Sequence, residues 1–536
     1  MNIRLVSRLL GVVAWLIGTT MVFSLPWAWP AFNGEAEFER GGFLALVSSI
    51  IACGIVGWLL RRAGSSTKDS LFRKEAMAVV GLSWVLATVL GALPYYLSST
   101  AVGRAAGVDE LPIRMTFVDC LFESQSGFST TGATVLANVE DEKLVPRCIL
   151  FWRSSTHFLG GLGIIVLFVA VLGHGSAGKA LMRAELPGPS KEGSQERMQH
   201  TAWTFAAIYL VLNAVLAVAL KLQGSLTAQG TMSWFDAICH AFGTMATGGF
   251  STYNNSIGHF DSAAIDYTII LFMILAGTNF TLLYLFWLGQ PSRLIRDSEW
   301  QAYIAIIVGV TALFIAIGTF WYHDFDRDGA LPPLDELSLA LRYGLFHVVS
   351  IMTTTGYATH DFDRWNQFAR AVLFLLMFVG GCAGSTAGGL KVIRHILFAK
   401  ILRLEIEQSY RPNVVRHLRL GSDTIIDAEV RKQILLYFGL ITFIFMISWI
   451  TLVAIEDDAT WIGREMPIEN KLIDAASAVA ATLNNIGPGL GTVGATQTYS
   501  AFDWKSKLIF TFLMMLGRLE LFAILVLLLP GFWRRR

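Results

Sequence analysis

Residues 350–362 read SIMTTTGYATHDF. Three threonines, a glycine and an aromatic stand in a row inside a very apolar chain. One such turn says little, because Thr and Gly also close ordinary helices. Its meaning depends on recurrence, and three further turns match it: STTGAT (129–134), MATGGF (245–250) and NNIGPG (484–489). The aligning glycines are Gly132, Gly248, Gly356 and Gly487, spaced by 116, 108 and 131 residues. Each turn follows a short apolar segment: FVDCLFESQSGF (117–128), WFDAICHAFGTM (234–245), LRYGLFHVVSIM (341–352) and IDAASAVAATL (473–483).

The chain around these segments has membrane composition. Its 536 residues are 54% hydrophobic and 15% charged, with mean hydropathy +0.55. Apolar runs of about 20 residues, enough to cross a bilayer core, recur throughout. Spans are expected near 9–29, 42–60, 76–97, 148–172, 202–222, 264–288, 300–320, 369–400, 433–455 and 507–530. The first is expected to be a retained helix, since no small-residue cleavage pattern ends it. Basic connections (61–74, 179–197, 293–296, 391–432 and the final three arginines) alternate with acidic ones such as NVEDEK and HDFDRDG. By the positive-inside rule this puts both termini in the cytoplasm. A net charge of +1 gives no reason to expect nucleic-acid binding. Five scattered cysteines, without CxxC or CxxH spacing, support neither a disulfide framework nor a zinc site.

Four short segments are too apolar for solvent and too short to cross. They read as re-entrant helices, tolerated at that depth only inside protein or beside a water-filled cavity. The predicted fold is all-α and integral to the membrane. Two extra N-terminal spans (1–70) precede four tandem span–re-entrant helix–span repeats around a pseudo-fourfold pore. The repeats occupy 71–175, 176–290, 291–415 and 416–536. A span on each side of a re-entrant loop makes the units parallel, not inverted.

Four such turns around one axis are what a cation filter needs. Backbone carbonyls replace the hydration shell without a fixed charge, and helix C-termini aimed at the centre add a favourable dipole. The expected potassium-coordinating carbonyls are those of Thr130, Thr131 and Gly132; Ala246, Thr247 and Gly248; Thr354, Thr355 and Gly356; and Asn485, Ile486 and Gly487. Asp119, Asp236 and Asp474 suit the positive ends of three of the helices, whereas the third has Tyr343 there. The fourth turn, with no threonine and with Pro488, makes the filter less symmetric.

VGGCAGSTAGGLK (379–391) interrupts a span with glycines and small residues. It lacks the G-x-x-x-x-G-K-[ST] order of a phosphate loop. Tight helix packing on small residues is one reading. The preferred one is a flexible plug, a gate built from Gly380, Gly381, Gly384, Ser385, Thr386, Gly388 and Gly389. Arg518, costly inside a span, needs a partner. The expected partners are carbonyls of that loop, although a structural pair is the alternative. Glu123 and Arg153 read as a buried structural pair, and Asn279 as an interhelical hydrogen-bonding group. His157 and His240 read as structural or interfacial residues.

FESQSGFSTTGAT, ATGGFSTYNNSIG, TTTGYATHDF, WRSSTHFLGGLGIIVL and the terminal GRLE resemble the motifs of the Trk/Ktr/HKT potassium transporter superfamily, most closely its bacterial TrkH type. The resemblance covers nearly the whole chain. It implies potassium uptake across the bacterial inner membrane, a homodimer with one pore per subunit, and a separate TrkA-like cytosolic ring that binds nucleotides and acts on the gate. K+ is then the transported ion, membrane lipid surrounds the protein, and no covalently bound cofactor is expected. In plant relatives a serine at the first filter glycine accompanies sodium transport, so four glycines favour potassium. The alternative is a proton- or sodium-coupled symporter. An intramembrane enzyme is disfavoured, because the spans lack a paired-Asp constellation.

Overall fold

Long apolar helices, begun by short polar caps, make up most of the molecule. The computed structural model describes residues 1–33, 37–64, 72–104, 111–172, 195–224, 232–325, 332–412, 418–420, 424–426, 428–464, 467–519 and 521–534. At the N-terminus, α1 (Ile3–Met21) begins where the Asn2 side chain accepts from the Leu5 N–H at 3.2 Å. It packs along α2 (Arg40–Ala63) and α3 (Arg73–Leu97). Then follow α4 (Phe117–Phe128), α5 (Arg147–Leu172), α6 (Gln195–Gly224), α7 (Trp234–Met245), α8 (Ala263–Ala276), α9 (Phe280–Trp287) and α10 (Ser298–Ile317). The second half contains α11 (Pro333–Met352), α12 (Gln367–Leu376), α13 (Val392–Tyr410), α14 (Ala428–Ile455), α15 (Lys471–Leu483), α16 (Trp504–Arg518) and α17 (Phe522–Leu525).

Among the described residues, six helices are long and apolar enough to cross a membrane, or up to eight if each of two bent pairs is one span. The bent pairs correct two expected spans. The 264–288 span breaks by 104° between α8 and α9, and the 507–530 span by 117° after α16. At the first break the Asn279 side chain accepts from the Thr281 N–H at 2.8 Å, so Asn279 caps α9 and is not an interhelical group. The 369–400 span is interrupted, as its glycines predict: α12 has ten residues, and helix resumes only at Val392. The chain is not wholly α-helical. Two short antiparallel hairpins, Ala101–Arg104 with Pro112–Arg114 and Leu418–Leu420 with Thr424–Ile426, lie in connections.

Two large apolar cores, and a third small one of Ala383, Ile393, Leu397, Ile401 and Ile434, pack the described residues. One of the large cores joins α1–α5 to α14–α16, and the other joins α6–α8 to α10–α13. Helix α15 contributes to both, with Ala475, Ala478 and Val479 in the first and Ala480 and Ala481 in the second. The two halves therefore meet at a helix of small residues, which permits close approach. The five cysteines are buried and free.

The short helices α4, α7 and α15 span 12, 12 and 13 residues. Local chemistry starts two of them. Thr116 and Asp119 form a capping box on α4, and the Ser233 hydroxyl accepts from the Asp236 N–H on α7 at 3.0 Å. The third short segment is corrected. Residues 341–352 are only the end of α11, a 20-residue helix with proline at its start and Asp335 and Glu336 in its first turn. It therefore has acids at its positive end after all.

Candidate functional site

Helices α4, α7, α11 and α15 all end the same way. The residue after the C-cap is left-handed without being glycine: Thr130 (φ 51°), Thr247 (55°), Thr354 (58°) and Asn485 (56°). The next N–H donates back five residues: Thr131 to Ser126 O, Gly248 to Gly243 O, Thr355 to Ser350 O and Ile486 to Ala481 O, all at 2.8–2.9 Å. This is the Schellman closure, normally built on glycine. A left-handed L-residue costs about 1–2 kcal/mol, and here four are held in equivalent places. A glycine with positive φ comes two residues later: Gly132 (80°), Gly249 (80°), Gly356 (78°) and Gly487 (98°).

That pattern corrects the second turn by one residue. Gly249, not Gly248, is equivalent to Gly132, Gly356 and Gly487. Ala246 is the C-cap of α7, matching Ser129, Thr353 and Asn484. The set at this turn is therefore Thr247, Gly248 and Gly249 in place of Ala246, Thr247 and Gly248.

The four turns touch in cyclic order. A Cβ added at Gly132 would lie 2.1 Å from the Gly248 carbonyl oxygen. At Gly249 it would lie 1.9 Å from Thr355 O, at Gly356 1.9 Å from Ile486 O, and at Gly487 2.5 Å from Thr131 O. Turn one thus abuts turn two, two abuts three, three abuts four, and four returns to one. No side chain fits at these glycines.

Hydroxyls tie the turns together. The Tyr357 hydroxyl donates to Phe250 O and His240 O, both at 3.2 Å, fastening turn three to turn two. That is the role of the aromatic in the quoted stretch. The Tyr499 hydroxyl donates to Gly487 O at 2.8 Å, and the Tyr499 N–H donates to Thr134 O at 2.8 Å, fastening turn four to turn one. The threonines are fastened too: the Thr353 and Thr355 hydroxyls lie 2.8 Å apart, and Asn485 Nδ2 donates to the Thr131 hydroxyl at 3.0 Å.

The interrupted segment sits against the same turns. The Gly388 N–H donates to the Thr354 hydroxyl at 2.7 Å, and the Thr386 hydroxyl donates to Met245 O at 2.9 Å. Gly388 and Gly389 pack on Asn484 and Asn485. Gly380 and Leu390 close the loop at its base through a 2.7 Å backbone bond. Gly381 abuts Gly277, Gly384 abuts Asn279, and the Ser385 hydroxyl donates to Cys382 O at 2.6 Å. Arg518 is the last residue of α16, at the bend of the pair Trp504–Arg518 and Phe522–Leu528. Its Nη1 donates to Thr386 O at 2.7 Å and its Nη2 to Gly160 O at 3.0 Å. Its neighbour Glu520 lies outside the described residues.

Buried Glu123 and Arg153 pair at 2.6 Å. Glu123 also accepts from the Val135 N–H and the Thr134 hydroxyl, and Arg153 reaches Ser251 O at 3.1 Å. One residue had no sequence signal for its role. Glu299, near the start of α10, is buried and accepts from the Ala383 N–H at 2.7 Å and the Ile393 N–H at 3.1 Å. A single carboxylate thereby holds both ends of the 383–393 segment.

These features define a multi-pass helical membrane protein with a buried ring of backbone turns beside an irregular loop. The chain belongs to the TrkH family, described as cation transport proteins, whose model matches residues 46–531. It is 34% identical to the Trk system potassium uptake protein TrkH of Salmonella typhimurium, over the full length of both chains. It is 30% identical to the Trk system potassium uptake protein TrkG of Escherichia coli, over 99% of each. The crystal structure of the potassium transporter TrkH from Vibrio parahaemolyticus superposes with a TM-score of 0.81, at 30% identity and full coverage of both chains.

Proposed function

We propose that this chain carries potassium into the cell through a gated, channel-like pore with a backbone-carbonyl filter. Its relatives are named potassium uptake proteins. The observation that carries the pore reading is the closed cycle of four turns, each abutting the carbonyl of the next. In this reading the turns belong to four units at 71–175, 176–290, 291–415 and 416–536, and the two N-terminal spans stand outside them. The coordinating carbonyls are those of Thr130, Thr131 and Gly132; Thr247, Gly248 and Gly249; Thr354, Thr355 and Gly356; and Asn485, Ile486 and Gly487. Oxygens from four strands replace the shell of a dehydrated K+. The ends of four helices aim negative dipole at the same place.

The 380–389 loop is the gate, lying between the filter turns and Arg518. Its contacts with Thr354, Asn484 and Asn485 keep it against the turns, and the guanidinium adds positive charge beneath a cation path. The protein works as a homodimer in the bacterial inner membrane with both termini cytoplasmic. A TrkA-like nucleotide-binding ring moves the gate. The "Trk system" names of the relatives support a multi-component assembly.

Flux of Rb+ into proteoliposomes tests the reading. Downhill uptake without a proton or sodium gradient is expected. Uptake that requires either gradient would replace the channel with a symporter.

A further inference from the structure

We infer that His157 is a specificity-determining brace behind the second filter turn, and that it is the reason this turn carries two adjacent glycines. The inference rests on the filter reading above. Gly249 has a conformational reason to be glycine, a φ of 80°; Gly248 has none, since its φ is not positive. What meets Gly248 is a ring. A Cβ there would lie 2.5, 2.6 and 2.7 Å from Nδ1, Cγ and Cε1 of His157. The ring cannot step aside. It is fully buried and stacks on Phe250 with centroids 4.0 Å apart and planes 15° apart. Phe250 is covered on its other flank by the Arg153 guanidinium, 3.5 Å from the ring centroid, and Arg153 is fixed by Glu123.

The result is one stack, Glu123–Arg153–Phe250–His157, ending on the residue whose carbonyl abuts Gly132. At the outer end Glu123 holds Thr134 and Val135, just past turn one. Phe250 O also receives the Tyr357 hydroxyl of turn three. The position of the Gly248 carbonyl is therefore set by packing from behind, not by the backbone of turn two alone. His157 acts through Gly248, as a positioning residue.

The test is reciprocal rescue, read as the ratio of Rb+ to Na+ flux in proteoliposomes of the full-length protein. Gly248→Ala alone is expected to lower the ratio by about tenfold or more, the scale of one misplaced carbon in a fitted site. His157→Ala removes every ring atom that the new methyl would meet. His157→Ala alone should lower the ratio, by less than Gly248→Ala does, and the double variant should recover to the level of His157→Ala, because the clash is gone while the ring that holds the carbonyl is gone too. His157→Gln, planar and of similar reach, should keep the ratio near that of the parent. A purely structural role would move melting temperature in detergent without this rescue. Gly248→Ala with an unchanged ratio, or a double variant no better than it, overturns the brace. Gly356→Ala serves as the control for the filter itself. If it leaves the ratio unchanged the filter reading fails; if it abolishes selectivity while rescue is absent, only the brace fails. Should Gly248→Ala fail to fold, the His157→Ala and His157→Gln pair still decides: equal ratios in both would overturn the inference.

Discussion

Replacing Arg518 with alanine removes the charge that ties the proposed gating loop to α5. Two of its hydrogen bonds do different work. The one to Gly160 O, 3.0 Å, anchors the guanidinium on α5; the one to Thr386 O, 2.7 Å, holds the loop. Opening needs only the second to break. A hydrogen bond to a charged group contributes about 1.5–3 kcal/mol net. Losing it shifts the open-to-closed ratio by about 10- to 150-fold. Loss of the positive charge acts in the same direction on a cation. Basal Rb+ flux of the purified protein, measured without any cytosolic partner, should therefore rise by one to two decades in Arg518→Ala. Arg518→Lys keeps the charge but has one donor centre instead of a fork, so it should fall between. The Rb+ to Na+ ratio should hold in both, because neither touches the turns. Unchanged or lower basal flux from a monodisperse Arg518→Ala protein would refute the gating argument.

Gly356→Ala places a methyl 1.9 Å from Ile486 O at a φ of 78°; K+-selective uptake should be lost in a flux assay while the protein still reaches the membrane. Glu299→Ala frees the N–H groups of Ala383 and Ile393, so basal flux should rise, and Glu299→Gln, which keeps the acceptor, should restore it. Asp363 lies in a short turn outside the spans, where it accepts from the Gly491 N–H at 3.0 Å, and burial pushes its carboxyl up to about 6. The folded state then binds a proton that the unfolded chain has already released, so stability should fall as pH rises through 6. Melting temperature should drop from about pH 4 to about pH 6 and level off above that, and Asp363→Asn should flatten the drop.

The four turns and the glycine-rich interruption were legible because both are written in local chemistry. So was the Glu123–Arg153 pair, since a buried charge demands a partner. The register of turn two was not. MATGGF offers two glycines, and only backbone torsion separates the one needed for a left-handed bend from the one needed to clear a neighbour's ring. The start of α11 is readable too: proline followed by Asp335 and Glu336 is a helix-start signal, lying outside the apolar stretch 341–352. Glu299 had no local signal. Its partners are backbone N–H groups 84 and 94 residues away, and main-chain donors carry no sequence identity.

Those long-range contacts also bear on why a single chain would build the proposed ring from unequal quarters. Each seam between neighbouring units is closed by different chemistry. Units one and two meet through Arg153 on Ser251 O, and units two and three through Arg342 and Asp266 at 2.7 Å. Units three and four meet through Asp363 on the Gly491 N–H, and units four and one through buried Lys507 and Asp119 at 2.7 Å. Buried ion pairs contribute little net stability, yet losing one partner costs about 3–5 kcal/mol. The ion pairs at the two–three and four–one seams therefore penalise wrong pairings more than they reward the right one. Four identical subunits could not use seams of this kind, since every interface would accept every other. Four unlike quarters in one chain can, and the order in which the turns close into a ring is then fixed from outside the filter. The proposed filter is left free to depart from symmetry, as the turns do at Gly248 and at Pro488.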